Sequence, residues 1–202
     1  MLNILSVFLL ATSLLTPGRA RAGHAPARTH APAPTLAPDA RCGQAIAKLV
    51  VLPRSIGPVD SRTRPWVRVA RKLFPGCVIA AGKQDDGEGD LLDTIEVSDA
   101  RLALRLIASG PGKLGSVEIV DPRIQVPGGV PAGAPLSALR KLGALGCERG
   151  NGQQANLYEC RVAGVERLRF VAAVLPEDER AGGRDPQVDR PVLMVRWYPP
   201  ER

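Results

Sequence analysis

The chain has 202 residues, with 27 Lys and Arg against 20 Asp and Glu, a formal net charge of +7 and only 3% aromatic residues. So few aromatics leave no platform on which nucleic-acid bases could stack, and the arginines are scattered rather than gathered in a block. They read as a basic, solvated surface with a weak attraction for anionic envelope polymers. The two histidines, His24 and His30, both precede the part of the chain able to fold, which removes Ser-His-Asp, Cys-His and histidine-ligated zinc chemistry from the folded part.

The chain opens MLNILSVFLLATSLLTPGRARAGHA. Ile4 to Leu15 has the length of a secretory apolar region, and Ala20-Arg21-Ala22 is a small-x-small cleavage site, so residues 1–22 read as a signal peptide cut after Ala22. The alternative is a retained anchor, but the run is shorter than the roughly 20 residues of a bilayer span. Cys42 follows Asp39-Ala40-Arg41, which is no lipobox, so no lipid anchor is expected. Residues 23–38, rich in Ala and Pro, have too little apolar surface to pack and read as an extended tether. Cleavage leaves 25 basic against 20 acidic residues, a net +5. Residues 39–202 are one domain's worth of chain, with 39–110 and 111–202 as its candidate halves.

A first helix is expected from Asp39, as its cap, to Val50, with Ile46, Leu49 and Val50 on one face. A second follows Pro65, which suits the first helical position; Trp66, Val69, Ala70 and Leu73 form a buried stripe, and Pro75-Gly76 stops it. CVIAAG is a strand, and KQDDGEGD is a loop. Its Asp85, Asp86, Glu88 and Asp90 do not fit a calcium-loop register and read as solvated. Leu102, Leu104 and Leu106 alternate with Arg101, Ala103 and Arg105, the period of a half-buried strand. GPGKLG turns the chain into SVEIVDPRIQV, a strand that Pro122 assigns to an edge or a bulge. Pro135 to Leu142 reads as a short helix with Gly143 as its left-handed cap. A hairpin, RVAGVERLRFVAAV, a polar loop from Arg180 to Arg190 and a last strand, VLMVRWYPP, complete the domain.

Four cysteines in an exported chain read as two disulfides with three pairings open. Cys147 and Cys160 flank ERGNGQQANLYE, whose Gly150-Asn151-Gly152 signals a hairpin turn, so they are expected to pair. Cys42 is then left for Cys77. A metal site is not expected, since no Cys-x-x-Cys pair exists. The strings ARKLFPGC and LRKLGALGC both end a helix, pass a glycine and reach a cysteine, the two cysteines lying 70 residues apart (77 and 147), an echo that suits a degenerate tandem repeat. The expected class is α+β: an antiparallel sheet packed by a few short helices and held by two disulfides.

SVEIVDPRIQVPGGVPAGAPLSALRKLGALGCERGNGQQANLYECRVAGVERLRF, roughly residues 117–171, resembles the domain of the RpoE-regulated lipoproteins (the DUF1131 family). The shared pattern is a strand, a turn and helix start of the form G-x-x-x-G-x-x-L-x-x-L/V, a cysteine-bracketed hairpin and a final strand. Here it falls on Gly129, Gly133, Leu136, Leu139, Cys147 and Cys160. The resemblance implies a cell-envelope protein without known catalytic residues; lipidation, a feature of that family, has no counterpart here. The repeated helix–Cys–hairpin unit is also similar to β-lactamase-inhibitor and outer-membrane-assembly lipoprotein modules, which bind proteins.

Functionally, the sequence favours a non-enzymatic exported module, periplasmic or secreted, that binds an envelope protein or polymer and needs no cofactor. An inhibitor or immunity protein of an exported enzyme is a sharper form of that reading. A carboxylate-dependent cell-wall hydrolase is the alternative, using two of Glu96, Glu118, Glu159 and Glu166. The expected contact surface is the disulfide-pinned hairpin tip, with Gln153, Gln154, Asn156 and Tyr158 as its binding residues.

Overall fold

In the computed structural model the described residues are 40–86, 89–180, 186 and 189–201. The expected signal peptide, the tether, the cap Asp39 and Glu88 lie outside them. The fold is α+β and mostly β. Helix α1 (Ala40–Ala47) leads into a small sheet of β1 (Val51–Leu52), β2 (Ser55–Ile56) and β3 (Val59–Asp60), then α2 (Val67–Leu73). A first meander follows: β4 (Val78–Asp85), β5 (Leu91–Ser98), β6 (Leu102–Ala108) and β7 (Leu114–Ile119). After α3 (Ser137–Arg140) comes a second: β8 (Leu145–Arg149), β9 (Leu157–Val162), β10 (Leu168–Ala173) and β11 (Val192–Trp197), with α4 (Pro176–Arg180) before the last strand.

The two meanders share one antiparallel sheet of order β4-β5-β6-β7-β11-β10-β9-β8. The order is palindromic: last strand pairs with last strand at the centre, and first strands form the edges. Each meander is preceded by a helix and has a cysteine at or within its first strand, Cys77 just before β4 and Cys147 inside β8, the arrangement that the ARKLFPGC and LRKLGALGC echo suggests. The boundary between the halves is not at residue 110, however. The turn at 109–113 is a hairpin inside the first meander, which runs on through Ile119.

Strand alternation sorts the residues between two faces. Ile95, Val97, Leu104, Leu106, Val117, Ile119, Phe170, Val195 and Trp197 face one way and, with Ile46 of α1, Ala70 of α2 and Leu139 of α3, make the core. The other face carries charge.

Several local expectations are corrected. The first helix stops at Ala47, and residues beyond Leu49 enter the small sheet, whose Val51 amide bonds the Gln125 carbonyl at 2.8 Å. Trp66 is the extended N-cap of α2 rather than part of its buried stripe, and Pro65 precedes the cap. The strand expected through Pro122 ends at Ile119, because Asp121 turns the chain: its carboxylate accepts the Arg123 backbone N–H at 2.9 Å. Helix α3 is a single turn, its C-cap Lys141 lies in the right-handed region, and Gly143 has no positive φ, so it is no left-handed cap. Instead Gly143 lets the chain just past β9 approach; a Cβ there would lie 3.1 Å from the Ala163 carbonyl oxygen. At the end of the loop expected at 180–190, Arg190 makes a buried ion pair with Asp178 of α4 and bonds its Oδ1 at 2.8 Å.

Candidate functional site

Both expected disulfides are present. Cys42–Cys77 ties α1 to the head of β4. Cys147–Cys160 joins residues directly opposite each other in the β8–β9 ladder. Gly129 and Gly133, with φ of +70° and +84°, turn the chain towards α3, and Leu136 and Leu139 are buried beneath it.

The hairpin tip is built differently from the expectation. Residues Gly152–Gln154 form one 3-10 turn. Gln154 reaches the tip of the β4–β5 hairpin, donating Nε2 to the Asp86 carbonyl at 3.3 Å. The first hairpins of the two meanders thus touch. Asn156 is exposed, and the Gln153 side chain lies outside the described part. Tyr158 cannot serve as a surface contact: it is fully buried, because strand period places it with Cys160 and Val162 on the core face, and the Arg190 guanidinium lies 5.9 Å from its ring centroid.

Beneath the touching tips, Glu96, Arg105, Glu118 and Arg196 stand in one row across β5, β6, β7 and β11. Arg105 donates Nη2 to Glu96 at 2.9 Å and Nη1 to Glu118 at 2.8 Å. Arg196 donates Nη2 to Glu118 at 2.9 Å and Nη1 to Glu159 at 3.1 Å, and Arg169 closes the series at 3.6 Å from Glu159. Burial opposes the charge on Arg105, but hydrogen bonds and attraction from Glu96 and Glu118 outweigh it and raise its pKa above the ordinary arginine value. Three of the four glutamates singled out in the sequence therefore converge, each bonded to arginine; Glu166 lies exposed outside the row. Glu118 is 1% exposed and holds a guanidinium on each oxygen. The Arg196 Nε, also buried, has no partner among the described residues. Arg196 lines a cavity of about 260 Å³ with Gln84, Ser116, Gln154 and Tyr198.

A larger space opens elsewhere, unforeseen in the sequence. A groove of about 1250 Å³ is assembled from Ser61, Arg64 and Trp66 ahead of α2, the β6–β7 turn with the first two residues of β7, Arg167 between β9 and β10, and the segment from Tyr198 to Glu201. The guanidinium groups of Arg64 and Arg68 lie over the Trp66 ring, 4.9 and 4.8 Å from its centroid. Gly112, with φ of +67°, lets the turn close onto the indole, where a Cβ would come within 3.2 Å. Arg64, Lys113 and Arg167 have no carboxylate partner among the described residues, whereas Arg105, Arg123, Arg190 and Arg196 are all ion-paired. The only faint signal for this groove in the sequence is the Arg-x-Trp-x-Arg spacing, 64 to 68.

Fold and bonds together define a class: an α+β module of two meanders in one antiparallel sheet, stapled by two disulfides. No helix among the described residues is long and apolar enough to cross a membrane, and the disulfides fit an exported protein. No family model and no curated protein matches the chain. Among solved structures, the crystal structure of the uncharacterized protein YfeY from Escherichia coli is similar, with a TM-score of 0.57 and 17% identity over 72% of this chain and 97% of that one. At that identity the likeness establishes a shared fold.

Proposed function

We propose that the protein is an exported cell-envelope module, periplasmic or secreted, that works by binding an envelope protein or polymer rather than by catalysis, and that it belongs with the RpoE-regulated lipoproteins. The observation that carries the binding reading is the groove. It gathers cations that have no carboxylate partner among the described residues, and two aromatic side chains, Trp66 and Tyr198, from four separate segments onto one concave, accessible surface. The family assignment is supported by the motif at Gly129, Gly133, Leu136 and Leu139 and by the fold shared with YfeY.

The hydrolase alternative draws less support. It needs two carboxylates flanking an open space that admits a glycosidic bond. Here Glu96, Glu118 and Glu159 are interleaved with arginines, and Glu118 is sealed from solvent.

The test uses the mature protein, residues 23–202, immobilised and exposed to detergent-solubilised envelope extract. The expected outcome is a component retained at low salt and released as salt screens the groove's charge. Retention of nothing, or breakdown of cell-wall material by the purified protein, would overturn the proposal.

A further inference from the structure

We infer that the groove takes an anionic saccharide: an extended stretch of sugar rings bearing carboxylate or phosphate groups. This rests on the binding reading above and names its ligand class. The volume, about 1250 Å³, exceeds the roughly 300–1,000 Å³ of a pocket for one small molecule, so it suits a segment of a chain rather than a single compact metabolite.

Charge complementarity supplies the sign of the ligand. Arg64, Lys113 and Arg167 line the groove, Arg68 lies beside it on Trp66, and Glu201 is the acidic residue in the lining. Cations converging on one concavity raise the local concentration of anions. The indole orients two of them. A guanidinium stacked on an aromatic ring is already ordered, so it loses less freedom when its planar fork engages a carboxylate or phosphate.

The same stacking argues against nucleic acid. Two guanidinium groups lie over the Trp66 ring, and the β6–β7 turn packs against the indole at Gly112, so the ring is not free to take a base. The rest of the lining combines prolines (Pro111, Pro199, Pro200) and Leu114 with serines and glycine backbone, a mixed surface suited to the apolar and hydroxyl faces of sugars.

Tryptophan fluorescence gives a direct readout. The other tryptophan, Trp197, is fully buried, so a ligand in the groove reports through Trp66. The probes are an oligogalacturonate hexamer, a phosphorylated mannan oligosaccharide, a neutral dextran oligomer of matched length and inorganic polyphosphate. At low salt, at least one anionic saccharide is expected to change the emission saturably while dextran does not, and the tighter of the two identifies the anionic group. Arg64→Ala and Arg167→Ala, both at exposed positions, are each expected to weaken binding about tenfold. Arg54→Ala and Arg71→Ala, also exposed but outside the groove, are expected to stay within about twofold. Equal losses in all four variants would reduce the effect to net charge and overturn the site. Polyphosphate binding as tightly as the better saccharide would overturn the saccharide assignment, as would a lack of saturation by either one. If the component retained from envelope extract is still retained by Arg64→Ala and Arg167→Ala, this inference falls while the binding reading stands.

Discussion

At the head of β4, Cys77 is bonded to Cys42 on α1, 35 residues back in the chain. In the middle of β8, Cys147 is bonded to Cys160, 13 residues ahead on the neighbouring strand. The meanders that carry these cysteines at their first strands have the same strand order, yet one is fastened to the helical layer and the other to itself. The first meander is fastened from outside, to α1. Both edge strands are largely exposed: β4, Val-Ile-Ala-Ala-Gly-Lys-Gln-Asp, and β8, Leu-Gly-Cys-Glu-Arg, hold no buried residue. The second carries its own clamp across β8 and β9, while its α3 is a single turn. Equivalent topology is thus closed by different covalent links, one to a helix and one within the sheet.

What the two halves hold in common is their seam. Glu118 on β7 and Arg196 on β11 face each other there, buried, and the partly exposed Arg105 of the first half completes the network. The largest expected effect is accordingly from Glu118→Ala, which leaves Arg105 and Arg196 without their shared counter-charge. A loss of about 3–5 kcal/mol is expected, read as a lower urea midpoint. A loss below about 1 kcal/mol would show that the seam is held by its apolar face alone.

Next in size is the contrast between the disulfides themselves. Loop-closure entropy alone assigns about 4 kcal/mol to a 35-residue loop and about 3 kcal/mol to a 13-residue one. The double variant Cys42→Ser/Cys77→Ser is thus expected to melt below Cys147→Ser/Cys160→Ser, by about 1 kcal/mol of stability. The reverse order would mean that β4 is held by its ladder with β5 and the staple to α1 is secondary.

The smallest effect separates the halves by acid. Asp99 and Asp121 sit around Arg123 in the first half. The Arg123 hydrogen bond holds the Asp99 carboxyl below its ordinary 3.8. Burial pushes Asp121 upward, but hydrogen bonds from the Arg123 side chain and backbone N–H outweigh it, and its pKa too is lowered. Both groups bind protons more weakly when folded, so their contribution is fully present above the ordinary carboxylate value. It is lost as pH falls through the lower folded values. Between pH 5 and 2, amide protection around 99–123 is expected to decline, and Asp99→Asn/Asp121→Asn is expected to flatten that decline. An unchanged slope in the double variant would assign the acid response to other carboxylates.

Much of the local structure was legible in the chain. Alternation placed Leu104 and Leu106 inside, the turn signal at Gly150–Gly152 paired Cys147 with Cys160, and the helix-to-cysteine echo marked the starts of both meanders. These signals depend on neighbours within a few residues, where dihedral preference and side-chain period act directly. The same period could have placed Tyr158 on the core face with Cys160, had the strand's faces been assigned from Cys160 and Val162 rather than from the tip's polarity.

The rest was decided by the pairing of β7 with β11. That contact joins residues 78 positions apart, Glu118 and Arg196, and it turns scattered charges into one row beneath the hairpin tips. It also frames the sheet on whose margins Arg64, Lys113, Arg167 and Tyr198 come together. No short-range preference encodes which of eight strands will be neighbours. That choice follows from burying the apolar faces of both meanders against one layer of helices, a property of the whole chain at once.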